Sequence, residues 1–386
     1  MLAKIISDRL LKKLGRLESG QLDLTLPNGR QYVFEGKSTG SKASIALHSW
    51  QVLSNLMQKG DVGFAEDYRD GLWETNDLLA LTHLGLSNQS AMNTMIAGNK
   101  MSRFIGMLSY LMNLNTLKGS RKNIQAHYDL GNDFYRLWLD PTMSYSAALY
   151  QNDDDSLQQA QLNKYDRLIA KLPQRSGRLL EVGCGWGGFA ERAMQQGDYA
   201  IKGITLSDEQ HAYAQNRLGQ NAEIALEDYR LQDKQYDNIV SIEMFEAVGE
   251  RYWKTYFSML KQCLSRHGKA LVQTITINEA DFEQYRKGSD FIRSFIFPGG
   301  MLPSPSRFNQ EAAQAGLKVN DQYFFAEGYA KTLEIWLENF DHKKAEVKQL
   351  GFDDRFIRLW RFYLAACAAG FRTRKTNVMQ VELVHA

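Results

Sequence analysis

The chain has 386 residues, 44% of them hydrophobic and 23% charged, enough for a full core in more than one domain at ~100–200 residues per domain. With 46 Lys and Arg against 44 Asp and Glu, 6 Pro and no low-complexity tract, the composition excludes a disordered or fibrous chain. The net charge of +2 gives no footprint for nucleic acid, and none is expected as a partner. The three cysteines, Cys184, Cys263 and Cys367, are far apart with no CxxC pair, which points to a reducing compartment and away from structural zinc, so no metal site is expected. The 18 Tyr, 19 Phe and 7 Trp are the one unusual feature.

Taken in chain order, MLAKIISDRLLKKLGRLESG alternates basic and apolar residues at helical spacing and lacks the apolar core and small-residue cleavage site of a signal peptide. It reads as an amphipathic helix. Strand-like runs at 22–26, 32–34 and 43–47, with turn signals at Asn28-Gly29 and Gly60-Asp61, then predict a small α+β domain. Residues 101–117 are apolar around most of a helical circumference. They suit a helix packed between domains, or one that touches a membrane or forms a dimer. The polar, basic stretch 118–123 reads as a linker, which sets domains at 1–117 and 118–386. No run approaches the ~20 apolar residues of a membrane-spanning helix, so any contact with lipid is expected to be peripheral.

Beyond residue 155 the pattern becomes α/β. A helix at 156–172 is followed by strands at 178–182, 200–205, 222–227, 236–242 and 269–277 with helices between them, which predicts a mainly parallel sheet covered on both faces. From 289 a loop-rich insertion (FIRSFIFPGGMLPSPS) leads into aromatic segments that read as helical to about 373. The strongest local signal is LLEVGCGWGGF at 179–189. There an apolar strand turns into a helix through Gly183, Gly185, Gly187 and Gly188, so the backbone can approach a ligand where the strands of an open sheet end. This spelling differs from the dinucleotide fingerprint and resembles motif I of class I S-adenosylmethionine-dependent methyltransferases. Where most of those carry a ribose-binding acid after the second strand, this chain has Thr205, Leu206 and Ser207. After the third strand, Asp228 is placed either to face an adenine or to cap the next turn, and Tyr229 to pack on the ring.

HYDLGNDFY (127–135), MSYS (143–146), VGCGWGG, TLS with Gln210, MFEAVG (244–249), FIFPGG (295–300) and CAAGFR (367–372) occur in an order that resembles the cyclopropane-fatty-acyl-phospholipid synthase family, which includes the mycolic acid cyclopropane synthases. GDVGFAEDYRDGLW (60–73) resembles the N-terminal domain of its long bacterial members. The resemblance implies a Rossmann-like class I methyltransferase fold after a lipid- or dimer-associated N-terminal domain. It also implies methyl transfer from S-adenosylmethionine to the cis double bond of unsaturated acyl chains, usually in phospholipids, giving cyclopropane or methyl-branched products. A small-molecule methyltransferase is the rival reading. The implied setting is the cytoplasmic face of a membrane bilayer, with a homodimer compatible. At cofactor-contacting positions stand Tyr145, Ser146, Gly183, Gly185, Thr205, Leu206, Gln210, Tyr229 and Arg230, to which the strand-end reading adds Asp228.

Attack of an alkene on a sulfonium methyl leaves a carbocation, which aromatic faces stabilise by ~0.5–2 kcal/mol each. Tyr145, Phe245, Phe297 and Tyr329 are candidates, each equally compatible with core packing. Ring-forming members hold a bicarbonate ion as base. This chain keeps Glu246 and Tyr329 of that site but has Ala147 for its Cys, Ala247 for the His after Glu246, and Gln273 for another His. Gln273 can donate to an anion but cannot shuttle a proton. The bicarbonate site is therefore incomplete, and loss of a proton from a neighbouring chain carbon would give a methyl-branched unsaturated chain. Glu246 either orders the base or caps its helix. His127 either orients substrate or caps a turn, and Cys367 reads as a core thiol.

Overall fold

The computed structural model describes residues 10–89, 115–116, 119–120, 124, 130–288 and 290–386. His127 and most of the expected 101–117 helix lie outside them. The described residues fall into two compact units, one drawn from Met1–Tyr110, Lys287–Ile296 and Leu333–Arg374, the other from Leu111–Arg286, Phe297–Thr332 and Lys375–Ala386. Two segments beyond residue 117 thus group with the N-terminal unit.

In the first unit, β1 (Ser19–Thr25), β2 (Gln31–Glu35), β3 (Ser38–Leu47) and β4 (Trp73–Glu74) form a sheet in the order β2-β1-β3-β4. Asn28-Gly29 makes the β1–β2 turn, where a φ of +80° suits glycine. Trp73 is fully buried, with its ring 4.2 Å from Phe64 and 4.5 Å from Tyr68, and its Nε1 donates to the Phe64 carbonyl at 2.8 Å. Helix Asp354–Arg372 supplies Phe362 to this cluster, which is why that distant segment belongs to the unit.

The second unit is a seven-stranded sheet of β5 (Ser176–Val182), β6 (Asp198–Thr205), β7 (Ala222–Leu226), β8 (Tyr236–Ile242), β9 (Leu264–Ile277), β10 (Leu317–Phe324) and β11 (Thr376–His385). The order is β10-β11-β9-β8-β5-β6-β7, with β5 to β9 parallel and β11 antiparallel to both its neighbours. Leu179, Ile201, Ile224, Val240 and Leu271 of the strands pack against Tyr165 and Leu168 of helix Leu157–Lys171 and Phe189 of helix Gly188–Gln196. Ser156 and Ser207 cap helices Leu157–Lys171 and Asp208–Leu218 by accepting from Gln159 N and Gln210 N. The parallel strands agree with the sequence reading to within a few residues. Residues 317–324, read as helical, are instead the edge strand β10, and β11 falls beyond the last predicted element. β11 pairs with β9 and β10 pairs in turn with β11, long-range contacts that local periodicity does not register.

The chain runs from β5 outward to β7, then returns to β8 beside β5. This reversal opens a crevice at the carboxyl ends of β5 and β8, where open α/β sheets bind ligands. In the first unit, Trp73→Ala should cost about 3–5 kcal/mol through the cavity and the lost hydrogen bond, read as a lower denaturant midpoint. A loss below about 1 kcal/mol would show that the cluster does not hold the unit together.

Candidate active site

The loop after β5 is pinned across the end of β6, since Gly183 N and Cys184 N both donate to the Ile204 carbonyl at 3.0 Å. Gly185 has φ +52°, and a Cβ there would meet nothing within 4 Å, so this part of the backbone faces open space. The cavity beneath it is lined by this loop, by Thr205, Leu206 and Gln210 after β6, by Tyr229 after β7, by Glu243 and Met244 after β8, and by Tyr145 and Ser146. Thr205 Oγ1 donates to Gln210 Oε1 at 2.8 Å, linking the β6 end to the helix that follows. Tyr145 sits in an aromatic group with Tyr135 and Trp138, at 5.5 and 5.4 Å between ring centres. Glu181 Oε2 and Tyr229 Oη are buried polar atoms with no partner among the described residues. Such atoms at a cavity wall suit a polar ligand.

Asp228 and Arg230 are bonded to each other outside the cavity lining. Arg230 Nε and Nη2 donate to the two Asp228 oxygens at 2.8 and 2.5 Å, and Asp228 caps the turn Tyr229–Leu231. Arg230 also donates to the Asn115 carbonyl and Ser120 Oγ. The cap is one of the two readings the sequence offers for Asp228. Phe245 is fully buried in a core cluster with Trp253, Tyr256, Phe257 and Phe308, and neither it nor Phe297 lines the cavity.

Glu243, which the sequence reading did not single out, organises the site. It follows β8 with φ +51°, a left-handed conformation rare for a non-glycine residue. Its N donates to the Gln273 carbonyl at 2.8 Å. Its carboxylate accepts three hydrogen bonds: from Ala147 N at 2.8 Å and Gln273 Nε2 at 2.7 Å on Oε1, and from Tyr329 Oη at 2.7 Å on Oε2. Desolvation raises its pKa, opposed by these donors and by Lys164. Ala147, Gln273 and Tyr329 are three of the positions at which the family resemblance puts a bicarbonate site. All three donate to the Glu243 carboxylate, which takes the place between them, so bicarbonate does not fit there. The signal that would have found Glu243 is an acid at the carboxyl end of a central parallel strand, beside two substitutions that remove the usual anion ligands.

Glu246 lies in the turn Phe245–Ala247 and accepts from Ile275 N, while its other oxygen has no partner among the described residues. Desolvation and then the Glu243 charge push its pKa up to about 8, which leaves it protonated at neutral pH. Lys164 is fully buried, donates to Ser146 Oγ at 2.6 Å and Gln161 Oε1 at 2.5 Å, and is lowered to about 8 by desolvation. Burial pushes Cys184 well up and Cys367 to about 12, so neither is a thiolate at neutral pH.

The family model described as mycolic acid cyclopropane synthetase matches residues 115–381. Tuberculostearic acid methyltransferase UfaA1 of Mycobacterium tuberculosis is 34% identical over 379 residues, covering 91% of this chain and 86% of the relative. Cyclopropane-fatty-acyl-phospholipid synthase of Escherichia coli is 35% identical over 349 residues, covering 88% of this chain and 87% of the relative. Among solved structures, mycolic acid cyclopropane synthase CmaA1 complexed with SAH and CTAB superposes with a TM-score of 0.64 at 34% identity, covering 68% of this chain and 97% of that one. With a family match over most of the chain and relatives of 34–35% identity covered along most of their length, the chain belongs to the mycolic acid cyclopropane synthetase family.

Proposed function

We propose that this chain methylates the cis double bond of an unsaturated acyl chain, with S-adenosylmethionine as donor and Glu243 as the resident base. The single observation that carries the reading is the Glu243 carboxylate held by three donors where relatives by resemblance would hold a separate anion. The open face of Gly185, the Thr205–Gln210 pair and the Tyr229 ring suit the cofactor, and Tyr145 and Ser146 close the far wall. When bound, S-adenosylmethionine supplies an electrophilic methyl: the alkene π pair forms the new C–C bond while the S–C pair stays on sulfur.

The protein then has a cationic acyl chain to hold and a proton to remove. Tyr145 and its aromatic neighbours present π-faces to the cation and exclude water. Glu243 accepts the proton on its carboxylate, and the C–H pair left behind becomes a C=C bond, giving a methyl-branched unsaturated chain. The fatty acid methyltransferases among the relatives favour this product. Use of the same pair to close a ring is the second reading, favoured by the cyclopropane synthases. We read the acceptor as a membrane phospholipid met at the cytoplasmic surface, with the N-terminal unit making the lipid or dimer contact. Among the described residues no helix is long and apolar enough to cross a membrane.

Two outcomes check this account. Glu243→Gln should lower methyl transfer to phospholipid vesicles by about 10²-fold or more while leaving S-adenosylhomocysteine affinity by calorimetry unchanged. Because the base must be ionised and its pKa is raised, wild-type kcat should fall as pH drops through that pKa, and the variant should lose this limb. Retained activity in the variant would contradict the assignment. Mass spectrometry of the lipid product should show a methyl branch with retained unsaturation; a cyclopropane as sole product would select the second reading. Gly185→Val, which places a branched side chain at φ +52° facing the cavity, should weaken S-adenosylhomocysteine at least tenfold with circular dichroism unchanged. Unchanged affinity would place the cofactor elsewhere.

A further inference from the structure

We infer that Arg167 and Gln380 are positioning residues that keep Glu243 ionised, acting through a one-way chain of side-chain amides. This deepens the base assignment above and rests on it. Gln380 on β11 and Gln273 on β9 are cross-strand partners, 2% and 0% exposed, so their amides are shielded from bulk solvent. Arg167 Nη1 donates to Gln380 Oε1 at 2.7 Å, Gln380 Nε2 to Gln273 Oε1 at 2.9 Å, and Gln273 Nε2 to Glu243 Oε1 at 2.7 Å.

The direction of the chain follows from chemistry. A guanidinium only donates, so Gln380 must turn its oxygen toward Arg167 and its NH2 toward Gln273. That forces the Gln273 oxygen toward Gln380 and its NH2 toward Glu243. A further contact, Gln380 Nε2 to the Lys164 carbonyl at 3.4 Å, has the same sense. Arg167 is itself held by Asp321 at 3.3 Å and lies 4.2 Å over the Tyr323 ring.

The lock acts on one protonation state. Ionised Glu243 needs a donor from Gln273 and has one. Protonated Glu243 would gain from an acceptor, which a turned Gln273 amide would offer, but Arg167 forbids the turn. Withholding that acceptor penalises the protonated form and lowers the pKa of the base. Without the lock both amides can reverse together and the pKa rises. The other titratable groups facing Glu243 are Lys164 from helix Leu157–Lys171, Glu246 from the turn after β8 and Tyr329 from helix Ala326–His342, and none is altered by the substitutions below.

The test is the pH profile of kcat with phospholipid vesicles and S-adenosylmethionine. Arg167→Met and the uncharged Gln380→Met should each move the acid limb to higher pH by about one unit, a tenfold loss one unit below the limb that recovers at alkaline pH, with KM for lipid unchanged. The double variant should shift no further than either alone, because both act through one chain. Lys171→Met removes a neighbouring charge paired with the same Asp321 at 2.9 Å but leaves the amides untouched, and should not move the limb. An unmoved limb in Arg167→Met and Gln380→Met, a pH-independent fall in kcat, or an equal shift in Lys171→Met would overturn the inference. If Glu243→Gln abolishes activity while the limb stays fixed in these variants, the base assignment stands and only the relay falls. Activity retained in Glu243→Gln removes both.

Discussion

The three hydrogen bonds on the Glu243 carboxylate are the interaction around which the site is arranged. They come from separate parts of the second unit: the backbone at Ala147, a side chain of β9 at Gln273, and a helix at Tyr329. Holding the carboxylate there requires a left-handed backbone at the end of β8, at a cost of about 1–2 kcal/mol for a non-glycine residue. The bond from Glu243 N to the Gln273 carbonyl ties that strained residue to the neighbouring strand. Strain of this kind persists only where surrounding contacts over-determine it, and it collects at functional sites.

Electrostatics divide the labour between two neighbouring acids. Both are desolvated, and each charge disfavours the other. Glu243 has three donors and the nearby Lys164 ammonium, whereas Glu246 has the Ile275 N–H and one oxygen with no partner among the described residues. Donors therefore favour the charge on Glu243, while burial and the Glu243 charge push Glu246 toward its protonated form.

Much of this was legible in the sequence because the signals are local. The glycine loop after β5 and the parallel strands follow from patterns a few residues long. The departures at Ala147 and Gln273 were equally visible, and they pointed to an incomplete bicarbonate site. Glu243 was not, because a motif reading of MFEAVG draws attention to Glu246, and only tertiary structure shows which carboxylate faces the donors. Gln380 carries no sequence signal at all: it is a polar residue in a strand whose pairing with β9 is set a hundred residues away. Asp228 and Arg230 are a further case, since their mutual hydrogen bonds at the strand end carry no local sequence signal.

The claim that the protein carries its own anion is tested most directly by the initial rate of methyl transfer in buffer stripped of carbon dioxide, followed as bicarbonate is added back. The wild-type rate should be full at the outset and flat across the titration. Glu243→Gly, which keeps the left-handed backbone without strain and empties the space between Ala147 N, Gln273 and Tyr329, should be nearly inactive at the outset and gain rate with bicarbonate. A wild-type rate that vanishes without bicarbonate and rises with it would contradict the account.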